Sequence, residues 1–315
     1  MSTVKTKVNE ESVKLFLETK YNNEISNINF IRGGQLSQAI SYTVENKDYL
    51  LKIRMDNESL KKEQAIFNKL SKTDPTIPIP KILEIGVFDN NESNPRFYCI
   101  SELCEGKMLF QFEKEVMDRL IIEMLEILYK IHSIDISETK GYGDWLEFKE
   151  AIYNSWKSFL QEYTKKHIDY LLNYFKDKPE DKEIIEKLKL KISKLLPLCP
   201  EERYLVHGDY GAHNTIAIPG RITGIIDWEI SKFGDFIYDI AWLEYFGHYG
   251  KERIYFADMY KKIYEKRSNQ KIKNFEERLT CYILCVCLHM AYFYCTSSQI
   301  QAYESDKPII LSLLK

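Results

Sequence analysis

No stretch of this chain restricts its fold as tightly as His207-Gly208-Asp209-Tyr210-Gly211-Ala212-His213-Asn214 taken with the segment leading to Asp227. Asp227, in Ile225-Ile226-Asp227-Trp228, stands thirteen residues after Asn214. Between them, residues 215–218 and 221–226 are β-prone runs on either side of Pro219-Gly220, the pattern of a hairpin. Antiparallel pairing would carry Asp227 back beside Asn214. Asp209 lies five residues before Asn214, on a loop that can fold back on itself.

Phosphoryl transfer from ATP asks for few protein groups. A carboxylate must position or deprotonate the attacking hydroxyl, and Mg²⁺ takes oxygen ligands from carboxylate, amide carbonyl, phosphate and water. Asp209 suits the first task; Asn214 and Asp227 suit the second. An Asx-rich turn could carry the same letters. The downstream Asp227 and the β-rich sequence upstream separate the two readings.

Upstream, residues 27–32 and 39–44 read as strands around Gly33-Gly34-Gln35-Leu36-Ser37, and 48–54 as a third. Lys52 has apolar neighbours in that third run and can reach the α/β-phosphates of ATP. Glu63, on a helix expected over 59–70, is the natural carboxylate to orient it. Arg54 shares the face of Lys52 by the two-residue period, and the order of the apolar run favours Lys52. Gly33 and Gly34 offer permissive backbone over a triphosphate and Ser37 a hydroxyl donor, though the same letters suit a plain hairpin turn. Residues 81–88 and 97–103 read as further strands. Backbone groups at Glu102, Leu103 and Cys104, just before the first long helix, are placed to bind adenine.

After Gly106 the pattern turns helical, over 115–132, 145–163 and 182–196. The expected organisation is a nucleotide-binding lobe over 1–104, antiparallel strands with one helix, and a helical lobe over 105–315 holding the catalytic loop and acceptor site. Lys+Arg is 44 against Asp+Glu 47, which argues against a general nucleic-acid binder. The apolar run 279–295 is shorter than the roughly 20 residues a membrane-spanning helix needs and contains His289, so a buried helix is expected. The seven cysteines include no CxxC pair and read as reduced core residues of a cytoplasmic protein, without zinc or disulfides.

Taken together, these segments resemble the aminoglycoside phosphotransferase and choline kinase family of the protein-kinase-like fold. The likeness rests on H-G-D-x4-N at 207–214, I-D-W at 226–228, and Gly234-Asp235-Phe236-Ile237-Tyr238-Asp239-Ile240-Ala241. The last is similar to the family's G-D-P-x-x-D-L-A, with Phe236 in place of proline. Residues 98–101, 205–207 and 221–228 are most similar to its hygromycin B branch. The resemblance runs from Gly33 to the C-terminal helices and implies a bilobal α+β fold using ATP and Mg²⁺. It also implies that Asp209 serves as base, while His207 and Asp239 hold the catalytic loop without entering the chemistry. Residues 145–201 match poorly, and that region helps shape the family's acceptor pocket.

The acceptor the resemblance implies is a small hydroxyl compound, with a cationic aminoglycoside preferred and neither nucleic acid nor membrane as partner. A polycationic aminosugar needs carboxylates near its ammonium groups and aromatic faces under its rings. Acidic residues outnumber basic ones between 201 and 250, which makes Glu229, Glu244 and Trp242 the candidates. All three also suit purely structural roles. A metabolic kinase for choline, ethanolamine, homoserine or methylthioribose would share every catalytic residue. A non-catalytic nucleotide-binding module is disfavoured, because Lys52, Asp209, Asn214 and Asp227 are all present.

Overall fold

The computed structural model describes residues 6–22, 24–31, 37–89, 94–248 and 253–315. Gly33 and Gly34 lie outside the described residues. In chain order the elements are α1 (Glu10–Lys20), β1 (Ile25–Ile31), β2 (Gln38–Val44), β3 (Lys47–Arg54), α2 (Asn57–Thr73), β4 (Ile82–Asp89), β5 (Arg96–Glu102), β6 (Lys107–Met108) and α3 (Lys114–His132). Next come β7 (Tyr142–Leu146), β8 (Glu150–Tyr153), α4 (Trp156–Tyr174), α5 (Pro179–Leu195), β9 (Tyr204–Val206), β10 (Thr215–Ile218), β11 (Arg221–Ile225) and β12 (Lys232–Gly234). The chain closes with α6 (Ile237–Phe246), α7 (Phe256–Ser268), α8 (Phe275–Thr296) and α9 (Ile300–Leu314). It divides into two units: residues 1–120, 146–148 and 212–230, and residues 121–145, 149–211 and 231–315.

In the first unit an antiparallel sheet runs in the order β1-β2-β3-β5-β4. Leu51 pairs with Ile40 and Ile100, and Ile53 with Tyr98, so these apolar side chains share one face. That face is covered by α1, whose Val13 and Leu17 are fully buried against it. Each such aliphatic side chain stabilises by about 1.5–3 kcal/mol. The expected lobe had one helix; α1 is a second, capped by Asn9 accepting from the Glu11 amide. It exists because the inner face of β3 and β5 would otherwise be wet. The opposite face carries Lys52 and Arg54. A smaller sheet, β11-β10-β6, belongs to the same unit and contains the expected hairpin.

The second unit is built on helices. α8 is central, packing against α4, α5, α6 and α9. It is long and apolar enough to cross a membrane by composition, and two thirds of that stretch (67%) is buried within the fold. Six of the seven free cysteines are buried, and the seventh, Cys104, is half-buried. Among the described residues no group of three or more histidine, cysteine, aspartate or glutamate side chains could hold a metal ion.

The helix expected over 145–163 begins only at Trp156. Before it, β7 and β8 join β12 and β9 in a four-stranded sheet ordered β8-β7-β12-β9. Glu147 and Phe148, both near φ 54, make the turn between β7 and β8. Ser155 then starts α4 as its N-cap, accepting from the Ser158 amide, and Glu201 accepts from the Trp156 amide at 2.6 Å.

Candidate active site

In the first unit, Lys52 stands between two carboxylates. Its Nζ donates to Glu63 Oε1 at 2.5 Å and to Asp227 Oδ1 at 3.1 Å. Burial alone would depress this ammonium; the charges of Asp227 and Glu63 outweigh burial and hold its pKa above the ordinary lysine range. Glu63 comes from α2, which Asp56 caps by accepting from the Glu58 and Ser59 amides. Arg54, on the same strand face, is paired with Glu229 instead.

Thr215 pairs with Ile225 at the base of the hairpin, and the Ile226 amide donates to the Asn214 carbonyl at 3.0 Å. Register therefore brings Asn214 and Asp227 together, as hairpin pairing predicts. Asn214 is buried, while the Asp227 carboxylate keeps 41% of its surface exposed. Asp227 lies at φ 67, in the left-handed region that non-glycine residues rarely occupy. Amide and carboxylate oxygens are hard donors that fit Mg²⁺, which fills the rest of its shell with phosphate and water.

At the end of β5 the Glu102 amide donates to the Lys81 carbonyl and the Leu103 amide to the Asp48 carbonyl, at 3.0 and 3.1 Å. These bonds hold the backbone of the segment Glu102, Leu103 and Cys104 expected to meet adenine. Gly106 follows at φ 111, where a Cβ would strike the Ala217 carbonyl. A cleft of about 310 Å³ borders this segment, lined by Pro78–Pro80, Glu102–Glu105 and Arg221–Thr223; neither Lys52 nor Asp227 lines it. Ser37 is half-buried just ahead of β2.

The second unit holds Asp209, half-exposed in the loop after β9. Asp239 on α6 secures that loop. Its fully buried carboxylate accepts from the His207 amide at 2.9 Å and the Gly208 amide at 2.8 Å, and contacts His132 Nε2 at 3.0 Å. Burial would raise the pKa of Asp239; the hydrogen bond and charge of His132 overcome it and hold the carboxyl below the ordinary range. His132 is tied in turn to the Tyr260 hydroxyl at 2.6 Å. Gly208 sits at φ 87, which lets the chain turn so that both amides face one carboxylate. Tyr210 anchors the far side of the loop by donating to the Met124 carbonyl at 2.7 Å.

Asp235 is also fully buried. It takes two hydrogen bonds from Arg278, at 2.9 and 2.6 Å, and one from Tyr282 at 2.7 Å. Sequence reasoning had no signal for Arg278, which lies 43 residues away on α8. Phe236, which replaces a proline of the family pattern, packs flat on Tyr264 with ring centroids 5.1 Å apart and edge-on to Tyr204.

The acidic residues suggested for the acceptor are largely engaged inside the fold. Glu244 is 4% exposed; its carboxylate accepts from Arg253 at 3.1 Å and from the Ala257 amide at 3.0 Å, holding the start of α7. Trp242 is equally buried and packs against Phe246 and His289. Glu229 faces Arg54. Glu202 is paired with Arg278, and Glu201 with the α4 terminus. Much of the acidic excess between 201 and 250 is therefore paired with groups of the chain itself.

Residues 27–272 match the family described as phosphotransferase enzyme family, and the chain belongs to it. Hygromycin-B 4-O-kinase of Escherichia coli is 27% identical over 239 residues, covering 75% of this chain and 67% of that protein. A thermostable mutant of the aminoglycoside phosphotransferase APH(4)-Ia, crystallised as a ternary complex with AMP-PNP and hygromycin B, superposes with a TM-score of 0.82. It is 22% identical, and the match covers 96% of this chain and 98% of that one. The GDP and kanamycin complex of APH(2")-IIIa superposes at 0.67 with 12% identity, over 96% and 97% of the two chains. These likenesses establish the protein-kinase-like α+β fold.

Proposed function

We propose that the protein is a cytoplasmic ATP-dependent O-phosphotransferase that inactivates an aminoglycoside, with hygromycin B the first acceptor to test. The observation that carries the reading is the Lys52 ammonium held between Glu63 and Asp227. A cation so flanked is fixed in place to meet phosphate oxygens. In this reading Lys52 binds the α/β-phosphates and backbone groups of Glu102, Leu103 and Cys104 bind adenine. Gly33 and Gly34 would offer backbone N–H groups, and Ser37 its hydroxyl, to the phosphates. Asn214 and Asp227 would hold Mg²⁺, which neutralises charge on the transferring phosphoryl group.

Asp209 orients the acceptor hydroxyl and takes its proton as the oxygen bonds to the γ-phosphorus and ADP leaves. The Asp239 clamp keeps the Asp209 loop in one conformation, so positioning is settled before substrate arrives. The protein would act on a cationic acceptor whose ammonium groups make its contacts with ribosomal RNA. A phosphate ester sets negative charge where the drug needs positive.

The test is a coupled assay of ADP release by the purified protein with hygromycin B, kanamycin, choline, ethanolamine, homoserine and methylthioribose. Turnover of an aminoglycoside supports the reading. Turnover of a small alcohol alone would replace it with a metabolic kinase.

A further inference from the structure

With Glu229 and Glu244 engaged elsewhere, the second unit offers a different surface beside Asp209. Val206, three residues before Asp209, pairs with Lys232 on β12. The buried Lys232 ammonium lies 5.6 Å from the ring centre of Phe159 on α4. Phe159 stacks on Tyr163, with centroids 5.5 Å apart and planes 28° apart. Tyr163 lies parallel to His289 of α8, 15° between planes, and its hydroxyl meets His289 Nδ1 at 2.5 Å. His167 stands edge-on to Tyr163 at 4.4 Å and against Tyr292 at 4.5 Å. A ladder of rings thus leads away from the strand that delivers Asp209.

Two features mark this ladder as more than core. Tyr163, His289 and Tyr292 are all half-buried, each keeping part of its ring open to solvent. His167 is 4% exposed, and its Nδ1 has no hydrogen-bond partner among the described residues, which is uncommon for a buried polar atom. The imidazoles are held neutral, His167 down to about 3 and His289 to about 4. Burial is the main cause in both, and for His289 the Lys232 charge adds to it against the opposing charge of Asp209. The surface is therefore aromatic and supplied with ring nitrogens that carry no charge at neutral pH, with the Lys232 ammonium at its Phe159 end.

We propose that a sugar ring of the acceptor sits on this ladder, and that the Tyr163–His289 pair is its specificity-determining contact. The inference rests on the aminoglycoside reading above. The C–H face of a pyranose matches the stacked Tyr163 and His289 rings, and an adjacent ammonium group is attracted to their π-faces. Tyr163 occupies Nδ1 of His289 and fixes the ring, which leaves Nε2 for an acceptor hydroxyl. Recognition here works through ring faces and a neutral imidazole, with no ion pair required.

The test combines kinetics with a spectrum of the wild-type protein. Tyr163→Phe keeps the ring and loses the hydrogen bond; it should raise KM for hygromycin B by about threefold to tenfold, with KM for ATP shifting less than twofold. His289→Ala should raise it more than tenfold. The chain has six histidines, so a side-chain NMR spectrum with labelled histidine is readable without relying on a variant's folding, His289 being assigned by His289→Gln. Hygromycin B alone should shift the His289 ring signals and leave those of His132 in place. Kanamycin replaces hygromycin B in both experiments if only kanamycin is turned over. Unchanged acceptor KM in both variants, or unmoved His289 signals at saturating acceptor, overturns the ladder while wild-type turnover still upholds the acceptor class. A wild-type enzyme that phosphorylates neither drug overturns both.

Discussion

Arg54 and Glu229 form an ion pair alongside a second pair, Lys52 and Asp227. The partners in each pair are 175 residues apart in sequence. The two-residue period of β3 puts both cations on one sheet face, and both ends of the 227–229 segment are held from that face. Asp227 needs the help. Its left-handed backbone costs about 1–3 kcal/mol, a strain that persists only where surrounding contacts enforce it.

Arg54→Met would leave Glu229 without its partner in a half-buried site and loosen the turn at Asp227. Breaking such a pair from one side destabilises by about 3 kcal/mol. The expected result is a lower Tm together with weaker Mg²⁺-dependent ATP binding. The double variant Arg54→Met/Glu229→Leu should recover most of the Tm. A Tm unchanged by Arg54→Met would show that the pair does no structural work.

Glu244 separates a structural role from a substrate-binding one. Glu244→Gln keeps the shape but loses the charge toward Arg253 and weakens the bond to the Ala257 amide. It should lower stability by about 1–2 kcal/mol, as for a lost charge-assisted cap, and leave acceptor KM unchanged. A raised acceptor KM at unchanged Tm would restore Glu244 to the binding site.

The two imidazoles of the ring ladder link stability to pH. Histidine in the unfolded chain titrates near ~6.5, above the folded values of about 3 for His167 and about 4 for His289. As pH falls, the unfolded state binds protons first. The stabilisation from neutral histidine is present above pH ~6.5, declines below it, and is gone once pH passes the folded values. Between pH 7 and 5 this amounts to about 2 kcal/mol for the buried His167 and less for the half-buried His289. Tm should fall over that interval, and His167→Gln should flatten the fall. Parallel Tm profiles for wild type and variant would contradict the assignment.

Asp227→Ala removes the exposed carboxylate of the proposed metal pair, and Asn214→Ala removes the buried amide. Both should weaken ATP binding in the presence of Mg²⁺, Asp227→Ala more severely. Titration calorimetry with and without Mg²⁺ measures this. An Asp227→Ala protein with wild-type Mg²⁺ dependence would remove Asp227 from the metal site.

What could be read from the sequence was local. The Asp209 loop, the hairpin and the strand bearing Lys52 are each short segments whose pattern and register are set within about twenty residues. α1 was missed because its two buried residues, Val13 and Leu17, sit among charged neighbours, and their reason for burial is a sheet face formed by later sequence. The start of α4 was misplaced although its signal, Ser155 as N-cap, was present. Arg54 with Glu229, Asp235 with Arg278, and Tyr163 with His289 join segments far apart along the chain, and no spacing rule reaches that far. The partners of Glu229 and Glu202 in the acidic stretch between 201 and 250 were illegible for the same reason, since Arg54 and Arg278 lie outside that window.

The central claim is that Asp209 activates an acceptor hydroxyl for phosphoryl transfer. The most direct measurement is ³¹P NMR of the purified protein with ATP, Mg²⁺ and hygromycin B, beside the Asp209→Asn variant. The wild type should release ADP and build up a phosphomonoester signal on the acceptor. Asp209→Asn should bind ATP normally and form the same ester about 10²–10⁴-fold more slowly, the usual loss for a positioned base. An Asp209→Asn enzyme that forms the ester at the wild-type rate would contradict the account.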